Sequence, residues 1–467
     1  KPLRVSGEDP RKGAIMADAP QKVTSLDLNP TIPYDPFVVD YMNFFAFVIP
    51  EQFNGWVPET IAWHKTCYIS ANLSYAMAEV TVKGPDAIAF LNHACVNTDF
   101  AKMPMNGLRH GIMCTEKGNV IVHGIIVRTG EDAFATYAFA PYIDYLVASG
   151  EWDVELLRNE GGDFIYQMGG PTSLQILENA AKCDLHDVRF MRYVNCEIAG
   201  CPVRIARQGM AGTLSYEVHG LAKYSDAVYS TIVEVGKDYG LEKLGIVAYQ
   251  CNHTENGFPN IGMHFPYPFK DDPELQAYLQ SIGFFADPTF MPLGGSLSDS
   301  IDDYFRNPFE LGWGHMVKFD HDFIGREALE KIAQNHREMV TLVWDPDDVA
   351  DIFRSQMSHE GPHYKKMIFP YDRIHCGYGN VQDRVVDAEG NVIGASMWPL
   401  LSEWYHDYIS VCSLDAEYAQ IGTEVTVLWG DAADEKKAVK ATVARYPYLD
   451  LTPNYKYPVE EIPHFEG

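Results

Sequence analysis

The chain has 467 residues, 46% of them hydrophobic and 21% charged, enough to bury more than one core and too apolar to be disordered throughout. Its net charge of −28 opposes binding to phosphate backbones or anionic lipid, so nucleic acid and membrane are not expected partners, and no apolar run approaches the roughly 18 residues of a spanning helix. Nine cysteines without a CxxC pair, Cys196 and Cys201 among them, give no zinc spacing; with no secretion signal, they fit a reduced, cytoplasmic protein.

Residues 1–36 are polar and punctuated by proline, and read as a flexible arm, with Met16 a candidate natural start. Ala78 to Lys83 alternates like a strand, and Pro85 opens a helix over the following PDAIAFLNHAC. Val120 to Arg128 (VIVHGIIVR) is a buried strand, expected to break at Gly124. Ser225 is placed to cap a helix that stops at Gly240, and a further helix runs from Asp272 to Gly283. Beyond about residue 340, short strands parted by Gly and Asp turns suggest a small β-barrel or sandwich, with a boundary near 335–345.

Familiar catalytic signatures are absent: GxGxxG, GxxxxGK[ST] and GxSxG do not occur. The HEGPH run at His359 to His363 matches HExxH only by letter, because Gly361-Pro362 breaks the helix that zinc binding needs. Three stretches stand out. Arg207 to Gly220 (RQGMAGTLSYEVHG) is a glycine-rich turn with Glu217 on the strand after it, and such a turn lets backbone approach a flat ligand. Tyr249 to Phe258 (YQCNHTENGF) gathers a phenol, amides and a second aromatic in a loop after Gly245. Asn307 to Leu329 is a turn with exposed aromatic and charged residues leading into a helix.

The run PFELGWGHMVKFDHDFIGREALEKI resembles the linker motif of the aminomethyltransferase family, that of the T-protein of glycine cleavage. Gln167 to Pro171 (QMGGP) is similar to the family's QGP turn. Arg207, Gly209, Gly212 and Glu217 are similar to its R-x-G-x-x-G…E strand pair, and Gly390 and Gly394 to its C-terminal glycine turn. VKFDHDFIGR, the loop at Ala248 to Phe258 and GTEVTVLWG look most like the tetrahydrofolate-dependent aryl O-demethylases of the vanillate and syringate type.

That resemblance implies an α+β, three-lobed T-protein-like fold: two mixed α/β lobes plus a C-terminal β-barrel or jelly-roll-like lobe. Residues 37–80 and 160–262 would form the first, folate-binding lobe; 81–159 and 263–340 the second; 341–467 the β domain. It implies tetrahydrofolate as cofactor, no metal, and transfer of a methyl from a methoxylated aromatic acid to N5. Tyr249 would donate to the leaving phenoxide and Glu217 would accept from the pterin, with Gln167, Phe190, Phe258 and Tyr137 around the cofactor. A plain core role is the lesser alternative for Phe190 and Phe258.

Three departures mark this chain. His123 stands where the T-protein has a carboxylate, either as a catalytic group or as a core histidine. Asn72-Leu73-Ser74-Tyr75 replaces a turn that ends in histidine in the relatives. Phe139 aligns with the arginine that grips a para carboxylate. With Phe45 and Phe139 lining an aromatic pocket beside Asn72, and Phe44 and Phe47 adding to it, a chlorinated ortho-methoxybenzoate of the dicamba kind fits better than vanillate or syringate. A vanillate or syringate O-demethylase, a sulfonium or amine demethylase and a non-catalytic folate-binding protein are the alternatives.

Overall fold

The computed structural model describes residues 31–44, 47–74, 79–284, 293–370 and 381–465. Phe45, Tyr75 and Ala78 lie outside them. At the end of the predicted arm, Thr31 and Ile32 are buried, Ile32 in the core of the first large sheet.

β1 (Asp40–Phe44) and β2 (Phe47–Gln52) pair as a two-stranded ribbon. β3 (Cys67–Ser70) follows the helix Trp56–Lys65. The chain then builds a five-stranded sheet from β4 (Val80–Lys83), β5 (Leu108–Cys114), β6 (Val120–Arg128), β7 (Ala133–Tyr137) and β8 (Glu155–Arg158), in the order β5-β6-β7-β4-β8. It returns to β3 with β9 (Asp163–Gly169), β10 (Tyr193–Ile198), β11 (Cys201–Ala206), β12 (Ser215–Leu221) and β13 (Leu241–Lys243). These make a six-stranded sheet ordered β10-β11-β12-β9-β3-β13. A closed barrel follows from β14 (Arg337–Trp344), β15 (Gln382–Val386), β16 (Val392–Ser402), β17 (Asp407–Asp415), β18 (Glu424–Trp429) and β19 (Lys437–Ala444). The expected α+β architecture with a C-terminal barrel is present.

Local differences from the sequence expectations have simple causes. β6 runs unbroken through Gly124, which pairs with Gly111 of β5. A Cβ at Gly124 would lie 2.0 Å from the Tyr137 carbonyl oxygen and 2.7 Å from Phe139, so glycine here makes room for a crossing chain and not for a break. Ser225 is the first residue of the helix Ser225–Gly236, with Tyr224 at the N-cap position; a 3-10 turn carries the chain on to Gly240, whose φ is 70°. Asp272 does cap its helix, accepting from the Glu274 and Leu275 amides at 3.0 Å each. No helix among the described residues is long and apolar enough to cross a membrane.

Candidate active site between the two sheets

Side chains alternate faces along a strand, so the register assigns each residue a side. On β12, Ser215, Glu217 and His219 share a face. Gln167 of β9 lies opposite Glu217, Arg204 of β11 opposite His219, and Ser70 of β3 opposite Gln167. Residues of the other parity, Ile69, Tyr166, Met168, Ile205, Tyr216 and Val218, form the apolar core of that sheet. In the five-stranded sheet, His110, Ile112, His123, Ile125 and Tyr137 share a face by the same rule, while Met113, Val122 and Ile126 point into the other core. The two polar faces meet: Leu108, Val127, Ala135 and Tyr137 pack against Ile165 and Ala206.

Glu217 is 6% exposed. Its Oε1 accepts from Gln167 Nε2 at 2.9 Å, and its Oε2 lies 2.9 Å from His219 Nε2. A carboxylate offers about four lone-pair sites, so capacity remains for further donors. Around it, Gln167 Oε1, His219 Nδ1 and the Tyr249 hydroxyl are buried without a hydrogen-bond partner among the described residues; so are both ends of the Asn72 amide, two residues beyond Ser70 of β3. Buried polar groups are ordinarily satisfied. This set of orphaned donors and acceptors therefore fits a flat polar ligand whose donor edge faces Glu217, and a pterin is such a ligand.

Tyr249 comes from the helix Ile246–Glu255, every residue of which is buried. This segment was expected as a loop; Gly245 starts the helix instead of ending structure. Gln167 and Asn260 are polar neighbours of the Tyr249 hydroxyl, and burial, then the charge of Glu217, pushes its pKa up, so the phenol keeps its proton.

From Tyr249 an aromatic wall leads to the facing sheet. Tyr249 meets His253 edge-on at 4.5 Å, and Phe258 lies 6.0 Å from His253 and 5.2 Å from His123. His123 stacks on Trp313 at 4.5 Å, and its Nε2 is 3.1 Å from His110 Nδ1. Burial holds both histidines neutral: His110 falls to about 4, and His123 is lowered well below its ordinary value by burial and by His110. His253 is likewise pushed down to about 4 by burial, and its Nδ1 faces the Phe258 carbonyl at 3.0 Å, which makes that nitrogen the donor.

The structure thus brings together Gln167, Glu217, Tyr249, Phe258 and His123. Tyr137 closes the far side: its ring meets His219 edge-on at 4.5 Å, and its hydroxyl donates to Glu79 and accepts from Arg204 at 2.8 Å. Arg204 also donates to Glu79 at 3.1 Å, so its charge is already matched. Phe139 is not part of this site. It is 1% exposed and fills the notch over Gly111 and Gly124, on the sheet face away from His123. Phe190 lies before β10 with its ring 6.1 Å from Tyr455, away from the Glu217 cluster in its ring contacts. Phe45 is outside the described residues, and Phe47 is half-buried on β2.

His219, His110 and Trp313 were missed. His219 carried a usable signal, since two residues after Glu217 on a strand is the same face. His110 and Trp313 reach His123 through strand pairing and long-range packing that no local pattern encodes. The aromatics of the linker stretch were expected to be exposed, yet Trp313 and Phe323 are 4% and 3% exposed.

Two sheets enclosing an acid–phenol–imidazole cluster beside a barrel is an arrangement whose relatives are transferases. Residues 39–266 match the family described as GCVT N-terminal domain. The chain is 40% identical to sesamin methylene transferase of Sinomonas sp. strain No.22, over 90% of this chain and 94% of that one. It is 32% identical to syringate O-demethylase of Sphingobium sp. strain SYK-6, over 86% and 90%. The fold matches the glycine cleavage system aminomethyltransferase T from Bartonella henselae with a TM-score of 0.64 at 16% identity, covering 90% and 96%. The chain belongs to the aminomethyltransferase (GCVT) family, and within it stands close to the aryl O-demethylases.

Proposed function

We propose that this protein moves a one-carbon group from an aryl ether to tetrahydrofolate, leaving a phenol. The observation that carries the reading is the buried Glu217–Gln167 pair with the orphaned Tyr249 hydroxyl beside it. Glu217 and Gln167 would hold the pterin edge, and His219 would orient the Glu217 carboxylate through its 2.9 Å contact. Tetrahydrofolate, when bound, supplies N5 as the one-carbon acceptor. Tyr249 keeps a proton at its hydroxyl and presents it to the aryl oxygen as negative charge develops there, an effect worth about 10²–10⁴-fold in rate. Phe258, Trp313 and the neutral His123–His110 pair form a water-excluding wall for the aryl ring.

That wall suits an uncharged ring. Among the described residues, Arg204 is the cation on the inner face of β9–β12, and Glu79 neutralises it. A dicamba-like chlorinated ortho-methoxybenzoate, favoured by the sequence, fits if its carboxylate turns away from this wall; burying it there unpaired costs several kcal/mol. A methylene carried between two aryl oxygens is the second reading, favoured by the 40% identity with the sesamin methylene transferase.

Purified protein with tetrahydrofolate would be offered vanillate, syringate, dicamba, a neutral methoxybenzene and a methylenedioxybenzene, with the folate product read by mass. A methyl or methylene gain on the folate is expected, larger with the neutral rings than with vanillate. Folate binding with no gain from any aryl ether would overturn the reading and leave a folate-binding protein.

A further inference from the structure

Outside the site described above, the loop after the helix Ser173–Ala181 meets the C-terminal tail, and His186 of that loop sits between the two. Its Nδ1 lies 2.8 Å from Glu178 Oε1 and 3.0 Å from Asp184 Oδ1, and its Nε2 lies 3.0 Å from the Ile462 carbonyl oxygen. Glu178, near the end of the helix, is buried, and its Oε1 also accepts from the Leu185 amide at 2.7 Å. His464 of the tail stacks on His186 at 3.7 Å and 17°, with its Nδ1 2.7 Å from Asp184 Oδ2. Lys182, at the C-cap of the helix, reaches over the Phe465 ring at 5.9 Å.

Hydrogen counting fixes the state of His186. Ionised carboxylates and carbonyl oxygens only accept, so both ring nitrogens donate, and an imidazole with two N–H groups is a cation. Either neutral tautomer breaks one side of this arrangement. With hydrogen on Nε2 alone, the tail carbonyl keeps its donor, but the Nδ1 lone pair faces two carboxylate oxygens, one of them buried. With hydrogen on Nδ1 alone, the carboxylates are served and a lone pair faces the Ile462 carbonyl. His464 needs only the one N–H toward Asp184, so the stack sets one cation against one neutral ring.

We propose that protonated His186 is a clasp that holds the C-terminal tail on the six-stranded lobe and releases it on losing that proton. The sign of the pH dependence follows from its surroundings. Burial pulls the His186 pKa down, but the Ile462 carbonyl and the Glu178 and Asp184 carboxylates outweigh it and raise the pKa above the ordinary 6.5. The fastening is complete below pH about 6.5 and is lost as pH rises through the raised value. Asp184 stays ionised, its carboxyl held well below the usual carboxylate range by the His186 amide and His464. The tail is otherwise tied upstream, where Asn454 accepts from Arg207 at 3.1 Å and donates to the Ser215 carbonyl at 2.8 Å, on the strand that carries Glu217. The clasp fixes its far end, and this inference is independent of the proposed activity.

Opening would be followed in the full-length protein by hydrogen exchange, read as protection relative to intrinsic rates from about pH 6 to about pH 9. The reporters are the tail amides of Glu461 and Ile462, which donate to the Pro458 and Val459 carbonyls at 3.1 and 3.0 Å, with the amides of β9 and β12 as the core control. In the wild type, tail protection should fall at least about tenfold across the range, with a midpoint above 6.5, while the core stays protected. Asp184→Asn, at an exposed position that leaves the fold intact, should move the midpoint to lower pH. His186→Gln, whose one amide nitrogen cannot donate at both ends of the ring, should show low tail protection at every pH. Tail protection that stays constant in the wild type, a midpoint unmoved by Asp184→Asn, or loss of tail and core protection together would overturn the proposal.

Discussion

In the proposed reaction Glu217 and Tyr249 carry separable burdens. Glu217→Gln removes the anion that the donor edge of a pterin needs while keeping the shape, and it is expected to weaken folate binding by about 1.5–3 kcal/mol, roughly 10- to 150-fold in Kd. Tyr249→Phe removes only the proton; kcat should fall about 10²–10⁴-fold with folate Kd little changed. Calorimetric binding and single-turnover rates on the two variants check this, and a Tyr249→Phe enzyme with wild-type kcat would remove Tyr249 from the chemistry. The His110–His123 pair makes a pH statement. With His110 down at about 4 and His123 also lowered, both stay neutral through the range where an ordinary histidine, near 6.5, titrates. The rate should show no limb near 6.5 arising from this pair; such a limb, present in the wild type and lost in His123→Gln, would contradict their burial. Glu217 was legible because a glycine-rich turn preceded it. His123 was legible only as an oddity on an apolar strand, since its partner His110 arrives through pairing.

The helix Ile246–Glu255 shows why the element bearing Tyr249 was misread. Its Asn, His, Thr, Glu and Gln residues look like a loop, yet all are buried, so no apolar stripe marks the helix. Asn252, His253 and Glu255 make hydrogen bonds, Asn252 and Glu255 to other elements, while the Gln250 amide and Thr254 hydroxyl have no hydrogen-bond partner among the described residues. Glu255 gathers Trp63 Nε1 at 3.1 Å and Ser402 Oγ at 2.6 Å, tying the helix to the barrel. Glu59 accepts from the Gly245 amide at 2.8 Å, just before the helix. Burial raises the Glu59 carboxyl from its ordinary 4.5 to about 7. The folded chain therefore holds this proton more tightly than the unfolded one. Its stabilising share is full below pH about 4.5 and is lost as pH rises through about 7, at most about 3 kcal/mol. Denaturant midpoints of wild type and Glu59→Gln across that window should differ by a pH-dependent amount of this sign; a constant difference would contradict it. In the five-stranded sheet, a Cβ at Gly111 would meet Phe139 and Ile126 side chains at 2.6 and 2.7 Å, whereas at Gly124 it meets backbone oxygen. Gly111→Ala should cost about 1–3 kcal/mol and recover in part with Phe139→Leu; Gly124→Ala should cost more and not recover. Phe139 is thus explained by the glycine pair beneath it, which a comparison with an arginine of relatives does not reveal.

At the scale of the whole molecule, alternation and turn chemistry made the barrel legible, and the linker motif made the family legible. The meeting of the two sheets was not, because it joins faces whose strands are up to about a hundred residues apart in the chain. Asp184 and His464, 280 residues apart in the chain and 2.7 Å apart in the fold, are the extreme case, which no local pattern reaches. The proposed function has the assembled molecule transfer carbon between two ligands that meet between those sheets, and following that carbon is the most direct test. An aryl ether carrying ¹³C in its methoxy or methylenedioxy group would be incubated with the protein and unlabelled tetrahydrofolate. The expected result is one ¹³C in the folate product and an unlabelled phenol, both lost in Tyr249→Phe. Phenol formed with the label in formaldehyde or methanol, and none in the folate, would contradict the account.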